Sequence, residues 1–154
     1  MKTYVITLSQ VFPVTHSRKG EPTGFKDKFL AATKQSGSEW RKIHTIRANY
    51  PLWKKRIAEV QRGEAVLSVR QWSGRPYMSK QETIATLTAD DGVGIQKLTF
   101  FSGRIIYPTV GKYQPSVKEI AHNDGLDSTY WLYWFKKYNL SKPLAIIHFT
   151  SFRY

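Results

Sequence analysis

Alternation of apolar and polar residues predicts several β-strands in this chain. The pattern is clearest over residues 3–9, and other segments with strand character are 64–72, 80–88, 96–101, 104–110 and 143–152. Residues 73–79 are expected to join two of these strands as a long hairpin with an aromatic and basic tip. Ser102-Gly103 predicts a tight turn in a second hairpin.

The clearest helical pattern lies between Asn49 and Gly63. Asn49 can cap this helix, Pro51 suits its first turn, and Gly63 is expected to end it. Apolar side chains recur every three or four residues and predict one buried face, formed by Tyr50, Trp53, Ile57 and Val60. Lys54, Lys55 and Arg56 then point outward.

Two further regions have helical character. Residues 25–34 place Phe25, Phe29 and Ala32 on one face, after a loop at 10–24 and before a break at 35–40. Residues 116–138 predict helix interrupted at 123–125, with Asp127 capping the second part and with a core stripe of Tyr130, Trp131, Trp134 and Phe135. Strands and helices that follow one another without a linker or a repeat predict a single α+β domain over residues 1–154.

Composition narrows the class of protein. The chain has 154 residues, of which 41% are hydrophobic, and no cysteine. It can therefore bury a core without disulfides, and thiolate catalysis and cysteine-ligated zinc are excluded. The sequence lacks a long apolar run and a secretion signal, so we expect a cytoplasmic protein without a membrane partner. The four histidines lie far apart along the chain, so neither a metal nor another cofactor is expected.

Positive charge is concentrated in one part of the chain. The net charge is +13, and residues 1–62 hold 13 Lys and Arg against 4 Asp and Glu. This uneven distribution is typical of proteins that bind polyanions, although a basic protein can also use such charge only for solubility. The densest cluster is "RKIHTIR", residues 41–47, with Arg41, Lys42, His44 and Arg47 around Thr45. Such crowding predicts an anion-binding cleft, and its alternative is a solvated strand edge.

Four stretches, in order, resemble the ASCH domain family, a β-barrel fold related to the PUA RNA-binding domain. They are "KIHTIR" (42–47), "GEAVLSV" (63–69), "IAHNDGLDSTYWLYWF" (120–135) and "LAIIHF" (144–149). The resemblance covers residues 42–149, roughly two-thirds of the chain, and leaves 1–41 as an N-terminal extension. It implies a small PUA-like β-barrel flanked by helices, with a cleft that binds RNA.

One branch of that family deacetylates the modified nucleoside N4-acetylcytidine. The resemblance implies a proton acceptor at Lys42, a nucleophile at Thr45 and a proton donor at Asp124, where the family has glutamate. An aspartate is shorter by one carbon–carbon bond, about 1.5 Å. Asp124 also lies in Asn-Asp-Gly, which is favourable turn chemistry. From the residues alone, Thr45 can equally be an ordinary strand residue and Lys42 can equally face solvent.

Other residues have a binding and a structural interpretation each. Arg47 can grip a phosphate, or it can form an ion pair with Glu64 or another carboxylate. Trp72, Arg75 and Tyr77 on the hairpin can stack nucleic-acid bases, or they can pack over a barrel mouth. Lys54 and Lys55 can contact phosphates or form only the solvated face of their helix. Asn123 belongs to the turn at 122–126 that we expect to face the basic cluster.

Three hypotheses for function follow from these residues. The first is an RNA- or nucleotide-binding domain that uses a basic cleft between barrel and helices. The second is an amidohydrolase that deacylates a modified pyrimidine nucleoside such as N4-acetylcytidine. The third is an accessory domain that binds a protein partner through the exposed hairpin.

Overall fold

The computed structural model describes residues 1–34 and 38–154 and shows an α+β fold, as predicted. The break that the sequence predicts after the first helix, at 35–40, falls partly on residues 35–37, which lie outside the described residues. The elements in chain order are β1 (Lys2–Thr7), α1 (Phe25–Thr33), β2 (His44–Arg47), α2 (Tyr50–Gln61), β3 (Ala65–Trp72), β4 (Gln81–Leu87), β5 (Gly94–Phe100), β6 (Pro108–Val110), α3 (Val117–Asn123), α4 (Ser128–Phe135) and β7 (Leu144–His148).

The first sheet has the strand order β1-β3-β4. β1 runs parallel to β3, and β3 pairs antiparallel with β4, so the predicted long hairpin is confirmed. The register of the hairpin shifts between Val69 and Arg70. Such a bulge bends and twists the strand locally, and here it precedes the hairpin tip.

The second sheet has the order β2-β7-β5-β6 and is antiparallel throughout. All five residues of β7 are buried, since this central strand is covered on both faces. β2 pairs with β7 so that His44 lies opposite His148 and Thr45 opposite Ile147. This register sets the polar residues of the basic motif beside the end of the last strand.

The predicted tight turn at Ser102-Gly103 is confirmed, because both residues have positive φ and the N–H of Arg104 donates to the carbonyl of Phe101 across them. This turn does not join the two strands directly. Phe100 pairs with Pro108, so the connection from β5 to β6 comprises residues 101–107. Its backbone groups are satisfied inside the loop, where the N–H of Tyr107 donates to the carbonyl of Arg104 and the N–H of Phe101 to the carbonyl of Tyr107. These local bonds replace the strand pairing that a two-residue turn would require.

The helices follow the predicted signals closely. Asn49 accepts a hydrogen bond from the backbone N–H of Leu52 and caps α2, and Asp127 caps α4 through the N–H of Tyr130. The buried face of α2 contains Trp53, Ile57 and Val60 as expected. In α1 the buried alanine is Ala31 instead of Ala32.

Helix α2 contacts β3 of the first sheet and β5 and β7 of the second. It therefore bridges the two sheets, and its apolar face joins their inner faces in one hydrophobic core. Closure of the strands into a PUA-like barrel and the boundary at residue 42 stay predictions. Among the described residues, no helix is long and apolar enough to cross a membrane.

Candidate functional site: a closed ionic cluster and an aromatic cleft

Lys42 lies in the interior, immediately before β2, and is only 1% exposed. Its backbone N–H donates to the carbonyl of Lys28, which fixes the chain as it enters the core. Its Nζ donates to the backbone oxygen of Asp124 at 2.6 Å and to Asp124 Oδ1 at 2.7 Å. The alternative of a solvent-facing Lys42 is therefore wrong, because the turn after α3 supplies the oxygens that its ammonium needs.

Burial dominates the electrostatics of this pair. Loss of solvent lowers the pKa of Lys42, and the charge and hydrogen bond of Asp124 only partly offset this effect. Burial likewise raises the pKa of Asp124, against the charge of Lys42. Both shifts favour the neutral forms, so a proton between the two side chains is easier to move than in an exposed ion pair.

Thr45 and Arg47 form the second half of the cluster. Thr45 is buried, and Arg47 Nη1 donates to its Oγ1 at 2.8 Å and to the carbonyl of Ile46 at 3.0 Å. Arg47 Nη2 donates to the carbonyl of Thr7 at 2.7 Å. The alternative pairing of Arg47 with Glu64 is wrong, since the Glu64 carboxylate binds Arg62.

His44 connects the ionic cluster to Tyr154. Its Nε2 lies 2.7 Å from the hydroxyl of Tyr154, and its Nδ1 lies 3.8 Å from Asp124 Oδ1. Burial lowers the pKa of His44 well below its ordinary value, with further lowering by His148 and Lys42. The imidazole is therefore neutral, and the contact between His44 and Asp124 is not an ion pair. Asn123 Nδ2 donates to the same hydroxyl of Tyr154 at 2.9 Å.

The sequence predicted an open anion-binding cleft along residues 41–47, and the structure shows that this prediction is wrong. Lys42, His44, Thr45 and Asp124 are each at most 3% exposed, so they form a closed cluster. The cluster has the groups for proton transfer and acyl chemistry, namely an amine of lowered pKa, a hydroxyl and a carboxyl group. Within the described part of the chain, Lys42 Nζ hydrogen-bonds to Asp124 and not to Thr45.

An open cleft lies at the β3–β4 hairpin instead. It has a volume of about 650 Å³ and is mostly apolar. Trp72, Arg75 and Tyr77 come from the hairpin, and the opposite wall comes from residues 9–14. The rings of Trp72 and Tyr77 are 5.1 Å apart, and Tyr77 is 87% exposed. We refer to this site as the hairpin cleft.

The wall at 9–14 was not expected from the sequence, where it belongs to a loop. Leu8 anchors it through a hydrogen bond from its N–H to the carbonyl of Arg70, and Val11 forms a bridge with Pro22. Phe12 is buried and Val14 is exposed. Apolar residues on both sides of Pro13 were the available signal for a loop that packs against the body of the protein.

The remaining predicted residues lie elsewhere. Arg41 is exposed and lines a cavity of about 520 Å³ together with Ile43, His122 and Asn123. Lys54 and Lys55 are exposed on α2, as predicted, and line neither of these two cavities. The predicted site is thus divided into a closed cluster, a hairpin cleft and a cavity beside Arg41.

Comparisons with protein-family models, curated proteins and solved structures give no match. The ASCH resemblance therefore stays a prediction. In the part of the chain that the structure describes, no three His, Asp or Glu side chains are arranged to hold a metal ion.

Proposed function

We propose that this protein binds RNA or a nucleotide-like ligand through the hairpin cleft. The observation that carries the proposal is the contact between half-buried Trp72 and exposed Tyr77 beside Arg75, in a mostly apolar cleft of about 650 Å³. An apolar cleft of this size with a few polar groups is typical of ligand sites. If the protein is an ASCH-type domain, the hairpin cleft would replace the basic cleft at Lys42 and Arg47 as the ligand site.

Stacking supplies the binding energy in this proposal. Every nucleobase has a flat π-face, and stacking on an aromatic side chain contributes about 1–3 kcal/mol per base. Tyr77 adopts φ 65°, a left-handed conformation that is uncommon for a tyrosine. Strain of this kind is concentrated at ligand-binding positions, and here it holds an aromatic ring out into solvent.

Charge around the cleft supports an anionic ligand. Arg75 lines the cleft, and residues 70–80 also contain Arg70 and Lys80 and no acidic residue. Cations next to stacking rings match the alternating phosphates and bases of a single strand. A cytoplasmic location belongs to the same proposal.

Fluorescence anisotropy with a short labelled single-stranded RNA tests this proposal. Trp72→Ala and Tyr77→Ala should each weaken binding by about 5- to 150-fold, the equivalent of one lost stacking contact. Phe101→Ala is the matched control, because Phe101 is an exposed aromatic residue in the other hairpin. Unchanged affinity in both hairpin variants would overturn the proposal. Loss of binding to a protein partner in the same variants would favour the accessory-domain hypothesis.

The amidohydrolase is a second candidate, favoured by one observation. Lys42 and Asp124, the proton acceptor and donor that the ASCH resemblance implies, are 82 residues apart in sequence and in direct contact. In this proposal Lys42 accepts the proton of the Thr45 hydroxyl as its oxygen attacks the acyl carbon. Asp124 then supplies a proton to the departing amine, which leaves the acyl group as an ester on Thr45. Water hydrolyses this ester, which releases acetate and restores the hydroxyl, and the proton on Lys42 returns to Asp124.

The test is acetate release from N4-acetylcytidine. The proposal expects turnover that Thr45→Ala abolishes and Thr45→Ser partly keeps, because serine retains the hydroxyl. Circular dichroism of both variants controls for folding. Equal turnover in the wild type and in Thr45→Ala would rule out this residue as the nucleophile.

A further inference from the structure

The connection between β5 and β6, residues 101–107, exposes apolar side chains that the hydrophobic core does not use. Phe100 is 7% exposed, whereas the next residue, Phe101, is 65% exposed. In the same way Ile105 packs against the core, whereas its neighbour Ile106 is 47% exposed. One residue of each pair anchors the connection, so the other is available for a contact outside the chain. We refer to residues 101–107 as the aromatic loop.

The backbone of the aromatic loop is hydrogen-bonded within the loop itself. The N–H of Phe101 donates to the carbonyl of Tyr107 at 3.0 Å, and the N–H of Tyr107 donates to the carbonyl of Arg104 at 3.0 Å. The N–H of Arg104 donates to the carbonyl of Phe101 at 3.1 Å. A segment closed in this way loses few hydrogen bonds to water when it enters an apolar environment, where an unpaired backbone group is costly.

A cavity of about 460 Å³ combines aromatic rings with donors for an anion. Its walls are formed by Phe101, Ser102, Arg104, Tyr107 and Gln114. The two rings are 6.4 Å apart, and the guanidinium carbon of Arg104 lies 5.8 Å from the centre of the Tyr107 ring. Among the described residues, this guanidinium has no carboxylate partner. Its planar set of donors matches the oxygens of a phosphate group.

The chain on both sides of the aromatic loop is cationic. Residues 92–118 contain Lys97, Arg104, Lys112 and Lys118 and no acidic residue. The first carboxylate after this stretch, Glu119, accepts a hydrogen bond from the hydroxyl of Tyr113. Charge complementarity therefore favours a partner that presents negative charge next to apolar material.

A lipid surface suits a contact of this size better than a protein does. A specific protein interface has about 20–30 residues on each side, many more than residues 101–107 supply. At a bilayer, aromatic rings lie at the headgroup level and cations attract anionic lipids, so a few side chains are enough. The expectation of no membrane partner depended on the lack of a long apolar run, which a spanning segment needs and a surface contact does not.

We propose that the aromatic loop binds the surface of an anionic phospholipid bilayer. Phe101 and Ile106 enter the boundary between headgroups and acyl chains, and Tyr107 lies at the level of the headgroups. The phosphate of one lipid binds in the cavity at Arg104. The contact is reversible, because so few apolar side chains bind more weakly than a pair of lipid anchors. The proposal is independent of the hairpin cleft, since the two sites share no residue.

Co-sedimentation with lipid vesicles tests the proposal. Vesicles of phosphatidylcholine and phosphatidylserine, in a ratio of about three to one, should bind the wild type more tightly than vesicles of phosphatidylcholine alone. A chain of net charge +13 is attracted to any anionic surface, so the decisive variants keep its charge. Phe101→Ala should weaken partition into the anionic vesicles about tenfold, because it removes one inserted aromatic ring. Ile106→Ser should weaken it in the same direction.

Matched variants elsewhere on the surface control for aromatic content and for charge. Tyr133→Ala, at an exposed tyrosine on α4, should partition as the wild type does, and so should Trp72→Ala at the hairpin cleft. Arg104→Gln should weaken partition about fivefold, the effect of one cation at an anionic surface. Lys54→Gln removes the same charge from exposed α2 and should weaken it less. Circular dichroism checks that each variant is folded.

Four results would overturn the proposal. Equal partition of the wild type, Phe101→Ala and Ile106→Ser would show adsorption by net charge alone. Loss of vesicle binding in Trp72→Ala would assign the contact to the hairpin cleft. Loss of RNA binding in Phe101→Ala with unchanged partition would assign the aromatic loop to RNA. Calorimetry with glycerol 3-phosphate separates a lipid from a free phosphate ligand, and binding of this soluble headgroup as tight as that of vesicles would exclude the bilayer as the partner.

Discussion

A lysine inside a protein needs a partner, and Lys42 has one in Asp124. In their charged forms these two groups, at 2% and 5% side-chain exposure, would attract each other strongly, but both would have lost their hydration. Removing one of them leaves the other unpaired in the core. The pair therefore contributes more to specifying where the turn at 123–125 docks than to net stability.

Lys42→Met should lower the free energy of unfolding by about 3–5 kcal/mol, because it leaves the Asp124 carboxyl buried without its donor. Urea unfolding at pH 7 measures this change. The double variant Lys42→Met with Asp124→Leu should recover at least half of the loss, since it removes both buried polar groups. If the double variant is as unstable as the losses of the single variants Lys42→Met and Asp124→Leu added together, this account is contradicted.

His148, like His44, is a buried histidine whose ionisation opposes folding in acid. Burial, and then the charge of Arg153, lowers its pKa to about 3, whereas an ordinary histidine has a pKa of 6.5. Between these values the unfolded chain binds a proton at His148 and the folded protein does not. Stability from this residue is therefore complete above pH 6.5 and is lost as the pH falls toward 3.

Between pH 6 and pH 4 the free energy of unfolding should fall by about 1.4 kcal/mol per pH unit for His148 alone. His148→Gln removes this titration and can keep the contact with Gln96, so its slope against pH should be smaller by that amount. Urea unfolding at several pH values gives both slopes. Parallel curves for the two proteins would show that His148 does not titrate in this way.

At the scale of elements, α2 links the two sheets and depends on its N-cap residue, Asn49. Asn49 has φ 65° and its side chain accepts from the N–H of Leu52. One residue thus provides both a left-handed backbone and a cap. Asparagine suits this position because its short amide tolerates that backbone better than most side chains do.

Asn49→Ala should destabilise the protein by about 1–2 kcal/mol, because alanine loses the cap and has a Cβ in the left-handed region. Asn49→Gly should cost only a few tenths of a kcal/mol, about 0.5 at most, since glycine accepts this φ freely. Denaturation by urea separates the two variants. If glycine proves as costly as alanine, the backbone conformation is not what selects asparagine here.

At the scale of the whole molecule, the net charge of +13 attracts polyanions over long distances. Burial removes some of this charge from the surface. Lys42 is closed off and Arg47 is bonded to Thr7, Thr45 and Ile46. For the proposed RNA binding, the exposed cations of the hairpin and of α2 are therefore more accessible than Lys42 and Arg47 of the densest cluster in the sequence.

RNA binding should weaken steeply with salt, with the logarithm of the binding constant changing by about −0.7 per phosphate contact and logarithmic unit of salt. Arg75→Gln should reduce that slope by about 0.7, because it removes one contact at the hairpin cleft. Arg104→Gln, at the tip of the other hairpin, is the matched control. Anisotropy titrations at several salt concentrations measure each slope. Equal slopes in all three proteins would remove Arg75 from the interface.

The sequence by itself determined the elements whose signals are local. The cap at Asn49 and the proline at 51 identify the start of α2, and the glycine at 63 lies just after its end. Alternation over 64–72 and 80–88 defined the β3–β4 hairpin with its tip, and Asn-Asp-Gly defined the break between α3 and α4. Periodicity and turn chemistry act over short distances, so they can be recognised without knowledge of the fold.

The tertiary structure alone decided which polar residues are enclosed and which are available. Lys42 and Arg41 are neighbours in sequence, yet Lys42 is buried against Asp124 and Arg41 is exposed. The loop at 10–24 supplies one wall of the hairpin cleft, and Tyr154 lies against the buried rings of His44 and His148. Burial and pairing depend on residues far away in the chain, such as Asp124 82 positions after Lys42, and no local pattern encodes these distances.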